Sequence, residues 1–303
     1  MAEIRELVVL SGKGGTGKTS LVGALAALMP DKVLCDADVD AADLHLLLGP
    51  TIRERHDFYA GHKARIDPAR CVRCGDCLAW CRFGAISESL IIHPWLCEGC
   101  GVCWRLCPAQ AVDFPDHLCG EWYISDTRFG PMVHARLGIA EENSGKLVAL
   151  IRRQARELAG KLGLSWILTD GPPGIGCPVI SCLSNTSAVL VVTEPSVAGD
   201  HDLKRVAALA EHFGLPVWVL VNKADLHWHM AREIERFCRD KGYGFLGFLP
   251  FEPDVTRAQI EGKTLMEYNN PKLQALLFEV WEKLDSALPK RAPQATSYPA
   301  GRG

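Results

Sequence analysis

This sequence lacks three features that would assign it at once to a broad class of proteins. No apolar run is long enough to cross a membrane, and the first residues, Met-Ala-Glu-Ile-Arg-Glu, have no apolar core of the kind found in a signal peptide. The net charge at pH 7 is only −3, so the chain also lacks the basic excess typical of a general nucleic-acid binder. We therefore expect a cytoplasmic protein with no stable membrane insertion and no nucleic-acid partner.

What the chain does contain is a repeated alternation of short apolar runs and segments with helical spacing. With 303 residues, it has ample length to bury a sizeable core. Apolar runs followed by helical segments predict an α/β fold with a doubly wound, mostly parallel sheet. The alternation is interrupted between about residues 61 and 115, where cysteines are concentrated.

The segment Gly12–Thr19 reads Gly-Lys-Gly-Gly-Thr-Gly-Lys-Thr and lies between an apolar run and a helical segment. Strand, glycine-rich turn and helix form the context of a phosphate-binding P-loop, in which backbone N–H groups face phosphate oxygens. A surface turn rich in glycine and lysine is the alternative. In the P-loop interpretation, Lys18 neutralises the β- and γ-phosphates and the Thr19 hydroxyl binds Mg²⁺. The candidate nucleotide-binding residues are Gly12, Gly14, Gly15, Thr16, Gly17, Lys18 and Thr19.

Further polar residues follow other predicted strands, and such strand ends meet at the ligand-binding edge of an α/β sheet. Asp36 and Asp38 follow one apolar run, although an acidic turn before a helix at 41–48 is the alternative. Asp170 closes another run, at the position that binds Mg²⁺ through water in P-loop proteins. Asn222 and Asp225, in Asn-Lys-Ala-Asp, are expected at the nucleotide base together with Pro250.

The early lysine of the loop, Lys13, makes the pattern resemble the deviant Walker A motif of the MinD/ParA/nitrogenase-iron-protein class. The resemblance implies ATP-dependent dimerisation, as a homodimer or with a similar ATPase, and contact of Lys13 with the nucleotide of the other subunit. It also implies that Asp38 positions the attacking water, so that Lys13, Lys18 and Asp38 are the candidate catalytic residues. The Asn-Lys-Ala-Asp segment alone favours GTP, whereas the whole resemblance favours ATP.

Eight of the thirteen cysteines form two runs with the spacing Cys-x2-Cys-x2-Cys-x3-Cys. The runs resemble those of bacterial two-cluster ferredoxins, in which the fourth cysteine of each run binds the other cluster. We therefore expect one [4Fe–4S] cluster on Cys71, Cys74, Cys77 and Cys107, and a second on Cys97, Cys100, Cys103 and Cys81. Paired Cys-x2-Cys units can also bind zinc, which is the alternative. Trp80, Trp95 and Trp104 are expected to shield the clusters, and a docking face for a partner is the alternative.

Two more cysteines lie outside these runs. Cys177 follows the run that ends at Asp170, which is the Walker B position. In the nitrogenase iron protein, a cysteine at a similar distance past this position holds a cluster shared between subunits. Cys119 is a second candidate ligand only by elimination, and we favour a buried structural thiol for Cys177.

The expected organisation is an ATPase domain at 1–60 and 116–288, an inserted ferredoxin domain at 61–115 and a flexible tail at 289–303. The resemblance implies an ATP-hydrolysing iron–sulfur protein whose dimer switch gates electron transfer to an unidentified protein partner. Two alternatives stay open. In the first, the protein would be a cluster carrier that resembles Mrp-type proteins. Those proteins have a C-terminal Cys-x-x-Cys, which is absent here, where only Cys238 lies in that region. A MinD/ParA-like switch would use the clusters to sense redox state.

Overall fold

The computed structural model describes residues 4–138, 141 and 143–288, and the expected tail lies outside them. The strands are β1 (Arg5–Ser11), β2 (Lys32–Asp36), β3 (Thr51–His62), β4 (Arg65–Ile66), β5 (Val112–Asp113), β6 (Asp116–Thr127), β7 (Gly130–Leu137), β8 (Trp166–Pro173), β9 (Ala188–Thr193), β10 (Val217–Val221) and β11 (Gly244–Phe248). The helices are α1 (Lys18–Leu28), α2 (Leu44–Leu48), α3 (Asp76–Trp80), α4 (Val102–Leu106), α5 (Ser144–Leu162), α6 (Cys177–Leu183), α7 (Val197–His212), α8 (Trp228–Lys241), α9 (Asp254–Ile260) and α10 (Pro271–Ala287), with a short 3₁₀ helix at Ala224–Leu226.

The main sheet has nine strands in the order β11-β10-β9-β1-β8-β2-β7-β6-β3. The seven strands from β11 to β7 are parallel, and β6 and β3 extend the sheet in antiparallel pairing. The central strand β1 lies between β8 and β9, so the chain winds away from it in both directions. The loop after β1 therefore lies at the edge where ligands bind in open α/β sheets. The predicted mostly parallel α/β sheet is confirmed.

Helices cover both faces of this sheet, as alternate residues of the buried strands require. One core combines Val8, Leu10 and Val33 with apolar residues of α5, α6, α7 and α8. The other combines Leu7 and Val9 with apolar residues of α1, α2, α9 and α10. None of the helices among the described residues is both long and apolar enough to span a membrane.

The antiparallel edge carries the segment that interrupts the α/β alternation. β3 and β6 pair along their length, and their far ends meet where His62 pairs with Asp116. Residues 63–115 therefore leave and rejoin the main sheet at one point. They contain the two-stranded sheet β4–β5 and two five-residue helices, α3 and α4, each beginning after a glycine with positive φ.

Two local expectations differ from the structure. The helix expected from Ala41 begins only at Leu44, because the chain first turns so that the Ala41 N–H donates to the Asp38 carbonyl (3.1 Å). The long strand β3 was not predicted, because most of its residues are exposed and polar and its register is set by β6.

Candidate functional site

The glycine-rich segment after β1 lines a cleft of about 620 Å³ at the carboxyl ends of the parallel strands. Gly15 and Gly17 have φ values of 80° and 89°, which side chains other than glycine rarely adopt. At Gly17 a Cβ atom would also overlap the Asn222 side-chain amide. The loop therefore curves around the cleft in a way that depends on its glycines. Of the candidate nucleotide-binding residues, the cleft is lined by Gly14, Gly15, Thr16, Gly17, Lys18, Thr19, Asn222 and Pro250.

Lys18 reaches from the start of α1 to two carboxylates. Its Nζ lies 2.5 Å from Asp170 Oδ1 and 3.5 Å from Asp38 Oδ2. Burial lowers the pKa of Lys18, but the nearby carboxylates outweigh it and the net pKa is raised. The residue is therefore a buried, permanent positive charge at the floor of the cleft.

The acidic group around this lysine includes Asp36, to which the sequence assigned no separate role. Asp36, at the end of β2, is fully buried, and burial together with Asp170 raises its pKa well above the usual range. Burial also raises the pKa of Asp38 to about 6. Asp36 stood in the same Asp-Ala-Asp segment as Asp38, but only the packing of β2 against β8 shows its proximity to Asp170.

Three buried polar atoms at this site have no partner among the described residues. They are Thr16 Oγ1, Asp36 Oδ2 and Asp170 Oδ2. A buried oxygen without a hydrogen bond is costly, so these atoms favour binding of a group that supplies cations or donors. Thr19 is half-buried and lines the same cleft. The residues present thus fit a nucleotide with Mg²⁺, in which Thr19 and Asp170 would hold the ion.

Lys13 does not line the cleft. Its Nζ lies 2.6 Å from Glu194 Oε1 and 3.5 Å from Ser196 Oγ, at the end of β9. The other oxygen of Glu194 accepts from Lys223 Nζ (2.9 Å), which also donates to the Gly15 carbonyl (2.8 Å). Sequence reasoning missed Glu194 and Lys223, although both follow predicted strands.

The residues expected at the base hold the loops of the cleft. Asn222 Nδ2 donates to the Thr16 carbonyl (2.8 Å), and Asp225 Oδ1 accepts from the Phe251 N–H (2.6 Å). Pro250 and Phe251 line the cleft, but Asp225 does not. Sequence reasoning missed the rest of this wall, which is formed by Phe251, Glu252, Val255, Thr256 and Gln259.

Gly12 and Asp170 are the other candidates outside the lining of the cleft. A Cβ atom on Gly12 would overlap Asp202, so this glycine permits close approach of α7 to the loop. Asp170 lies beneath the cleft, buried behind Lys18.

The cysteine-rich segment brings together residues from both predicted runs. Cys71, Cys74, Cys77 and Cys107 line one small cavity of about 20 Å³. The Ala111 N–H donates to Cys107 Sγ (3.2 Å). Burial raises the pKa of Cys77, and Cys71, Cys74 and Cys107 add to the rise through their negative charge as thiolates. Bound cations would relieve this repulsion, so the donor set fits an iron–sulfur cluster.

In the second set, Cys97 and Cys100 lie near Cys103. Burial raises the pKa of Cys103 to about 11, and the nearby thiols of Cys97 and Cys100 contribute. Cys81, the fourth expected ligand, is half-buried directly after α3, which packs against α4. Trp95 is 82% exposed, which favours the docking face over shielding for this residue.

The two remaining candidate cysteines have different environments. Cys177 is exposed at the first residue of α6, so the favoured interpretation as a buried thiol is wrong. Cys119 is buried in β6, and its thiol donates to the Ala60 carbonyl (3.1 Å).

Comparisons with known proteins agree with the fold and the loop. Over 93% of its length the chain is 31% identical to an uncharacterized protein of Methanocaldococcus jannaschii, covering 96% of that protein. Over 64 residues it is 30% identical to the pyruvate synthase subunit PorD of Methanothermobacter marburgensis, covering 21% of this chain and 79% of that subunit.

A solved structure of similar fold is the septum site-determining protein MinD of Pyrococcus horikoshii complexed with Mg-ADP. Its TM-score is 0.58 at 18% identity, over 93% of this chain and 96% of the other. The family model described as the CobQ/CobB/MinD/ParA nucleotide binding domain matches residues 7–265. With its P-loop, its buried Lys18–Asp170 pair and this match, the chain belongs to the CobQ/CobB/MinD/ParA family of nucleotide-binding domains.

Proposed function

We propose that this protein hydrolyses ATP as a dimer and that hydrolysis gates electron transfer between two [4Fe–4S] clusters in residues 61–115 and a partner protein. The observation that carries the proposal is the occurrence in one chain of a P-loop cleft and of a cavity lined by Cys71, Cys74, Cys77 and Cys107.

The residues of the cleft have distinct roles in hydrolysis. Lys18 leaves Asp170 when phosphate oxygens replace that carboxylate, and then neutralises charge on the transferring phosphoryl group. Mg²⁺, held by Thr19 and through water by Asp170, would neutralise further charge. Asp38, at the rim beside Lys18, orients the attacking water when it is ionised. ATP is favoured over GTP because Asp225 is occupied by the Phe251 N–H and does not line the cleft.

The dimer follows from the position of Lys13. Its side chain is about one-third exposed, lies outside the lining of its own cleft and is paired with Glu194. A lysine placed in this way is available to a nucleotide in another subunit. Electrostatic stabilisation from the second subunit would then appear only in the closed dimer.

The cluster domain is supported by the crossing of Cys107 to the first run, which is the arrangement of two-cluster ferredoxins. Similarity to PorD over 64 residues, which covers most of that subunit, supports a separate small domain within this chain. A [4Fe–4S] cluster supplies one-electron redox chemistry. Exposed apolar side chains on the same segment, among them Trp80 and Trp95, offer a docking surface for a protein partner.

The coupling between the two sites has a continuous backbone route. The Leu137 N–H donates to the carbonyl of Val39 (3.3 Å), next to Asp38, and the Gly138 N–H donates to the Cys119 carbonyl (2.7 Å) in β6. The start of β6 borders the cysteine-rich segment. A shift of Asp38 with nucleotide state would therefore move hydrogen-bonded backbone at the base of that segment.

The test uses anaerobically purified full-length protein with its iron retained. Clusters reduced with dithionite are separated from excess reductant, mixed with benzyl viologen, and their reoxidation is followed with Mg-ATP or Mg-ADP. We expect ATP to change the rate in the native protein. Lys18→Ala should abolish this dependence while retaining all iron, and Cys74→Ser should retain ATP binding while losing one cluster.

Three results would overturn parts of the proposal. Equal reoxidation with ATP and ADP, together with an ATPase rate that ignores cluster state, would exclude electron gating. Iron that leaves the protein for an apo-ferredoxin during ATP turnover would favour the cluster carrier. The regulatory switch would be favoured if reduction changed dimerisation alone.

A further inference from the structure

Three side chains with metal-binding atoms lie together outside both sites described above. They are His117 and Cys119 on β6 and Glu141 after β7. Their ligand atoms all lie within 4.8 Å of one another, and His117 Nε2 is 2.8 and 2.9 Å from the two Glu141 oxygens. The side chains of His117 and Glu141 are about three-quarters buried, and Cys119 is buried completely. The proposed electron-gating function uses the side chain of none of the three.

We propose that His117, Cys119 and Glu141 bind a divalent transition-metal ion of the zinc class. Imidazole, thiolate and carboxylate are the ligand types that Zn²⁺ takes in proteins, at about 2.0 to 2.3 Å from the ion. Ligand atoms around one tetrahedral ion therefore lie roughly 3.3 to 3.7 Å apart. The ligand atoms of His117, Cys119 and Glu141 would need to move by only about 1 Å to reach these separations.

An ion pair between His117 and Glu141 explains two of the three residues, but not the third. It requires no thiol, whereas Cys119 Sγ lies beside both partners. The thiol now donates to the Ala60 carbonyl (3.1 Å). Metal binding replaces this S–H with a metal–thiolate bond and releases the proton to solvent. With three protein ligands, the fourth position is left for water or another ligand.

The position of the site indicates what the ion would stabilise. His117 and Cys119 are at the start of β6, beside the point where the cysteine-rich segment joins the sheet. Glu141 follows the backbone that bonds to Val39 and Cys119 through Leu137 and Gly138. A bound ion would therefore cross-link the base of that segment to the chain beside Asp38.

The test is zinc binding to the anaerobic, iron-loaded full-length protein, measured by equilibrium dialysis and zinc K-edge X-ray absorption. We expect one zinc per chain with one sulfur neighbour at about 2.3 Å and nitrogen or oxygen neighbours at about 2.0 Å. Cys119→Ser and His117→Ala should each weaken binding by more than about 100-fold, beyond the effect of losing an outer-shell partner. Iron content should be unchanged in both variants.

Matched controls are Cys177→Ser, which removes an exposed thiol, and His201→Ala, which removes an exposed histidine. Neither should change zinc affinity. Zinc with four sulfur neighbours would overturn the proposal, because it would place the ion on the cysteines of the two runs. Absence of saturable binding, or binding unaffected by either ligand variant, would also overturn it. Thermal melting of the zinc-free variants shows whether each one is folded. If Cys119→Ser does not fold, His117→Ala alone tests the site.

Discussion

Replacing Glu194 by glutamine is expected to tighten the ATP-bound dimer. In the single chain, Glu194 binds Lys13 at 2.6 Å and Lys223 at 2.9 Å. For Lys13 to contact the nucleotide of another subunit, it must leave this carboxylate. Glu194→Gln removes the attraction while keeping the side-chain shape, so Lys13 is released in advance.

The size of the effect follows from the exposure of the pair. The Lys13 side chain is 36% exposed and the Glu194 side chain 17%, so the pair is neither freely solvated nor buried. Such pairs contribute at most about 1 kcal/mol, and Lys223 stays with Glu194 after Lys13 leaves. A homodimer releases two lysines, at a cost of about 2 kcal/mol, which corresponds to a change of roughly 30-fold in the dimer dissociation constant.

The measurement is sedimentation velocity over a concentration series with Mg²⁺ and a non-hydrolysable ATP analogue. Glu194→Gln should lower the dissociation constant by up to about 30-fold, and Lys13→Ala should abolish the ATP-dependent dimer. Glu211→Gln is the matched control, because Glu211 lies on the exposed end of α7 and, among the described residues, its carboxylate accepts only from Tyr243 Oη (3.2 Å).

Two outcomes would refute this reasoning. If Glu194→Gln leaves the dissociation constant unchanged while Lys13→Ala abolishes dimerisation, Lys13 does not leave Glu194. If Lys13→Ala dimerises and hydrolyses ATP normally, Lys13 has no role across the interface.

The remaining predictions concern the other charged and thiol groups. Asp38→Asn should retain ATP binding and reduce phosphate release by at least about 100-fold, as measured in single turnover. Because burial raises the pKa of Asp38 to about 6, native hydrolysis should fall as the pH drops below about 6, where the carboxyl has lost the negative charge that orients the attacking water. This decline should be absent in the variant. The double variant Cys74→Ser/Cys107→Ser should lose only one cluster, because both residues are expected to bind the same one. The double variant Cys74→Ser/Cys103→Ser should lose both clusters. Equal iron losses in the two double variants would contradict the crossed assignment. Glu6→Gln should lower the free energy of unfolding by about 3–5 kcal/mol in urea, because buried Arg152 donates to both Glu6 oxygens (2.7 Å each). The control Glu157→Gln, which breaks an exposed pair with Arg153, should change it by less than about 0.5 kcal/mol.

Local patterns predicted the elements of this protein well. The apolar runs of the sequence form strands β1, β2, β9 and β10 of the sheet. Their apolar runs are buried on both faces, so composition alone identifies them. β3 was missed because it is an exposed edge strand without such a run.

The residues of the site were predictable where they are contiguous in sequence, and less so where they come together from distant segments. Gly14 to Thr19 form one loop, and their spacing carries the chemistry of phosphate binding. Glu194 carries no motif, and its role appears only when β9 lies beside the loop. The contact of Asp36 with Asp170 likewise appears only when β2 pairs with β8. The local Asn-Lys-Ala-Asp segment placed Asp225 at the base, whereas the fold turns it to the Phe251 backbone.

By itself, the sequence determined that a P-loop follows a central strand and that two four-cysteine runs interrupt the α/β alternation, because both signals depend on short spacings along the chain. Only the tertiary structure decided which residues from distant strands meet. It placed Lys18 on Asp170, Lys13 on Glu194 and His117 beside Cys119 and Glu141. These contacts depend on strand order and register in the sheet, which distant segments set together.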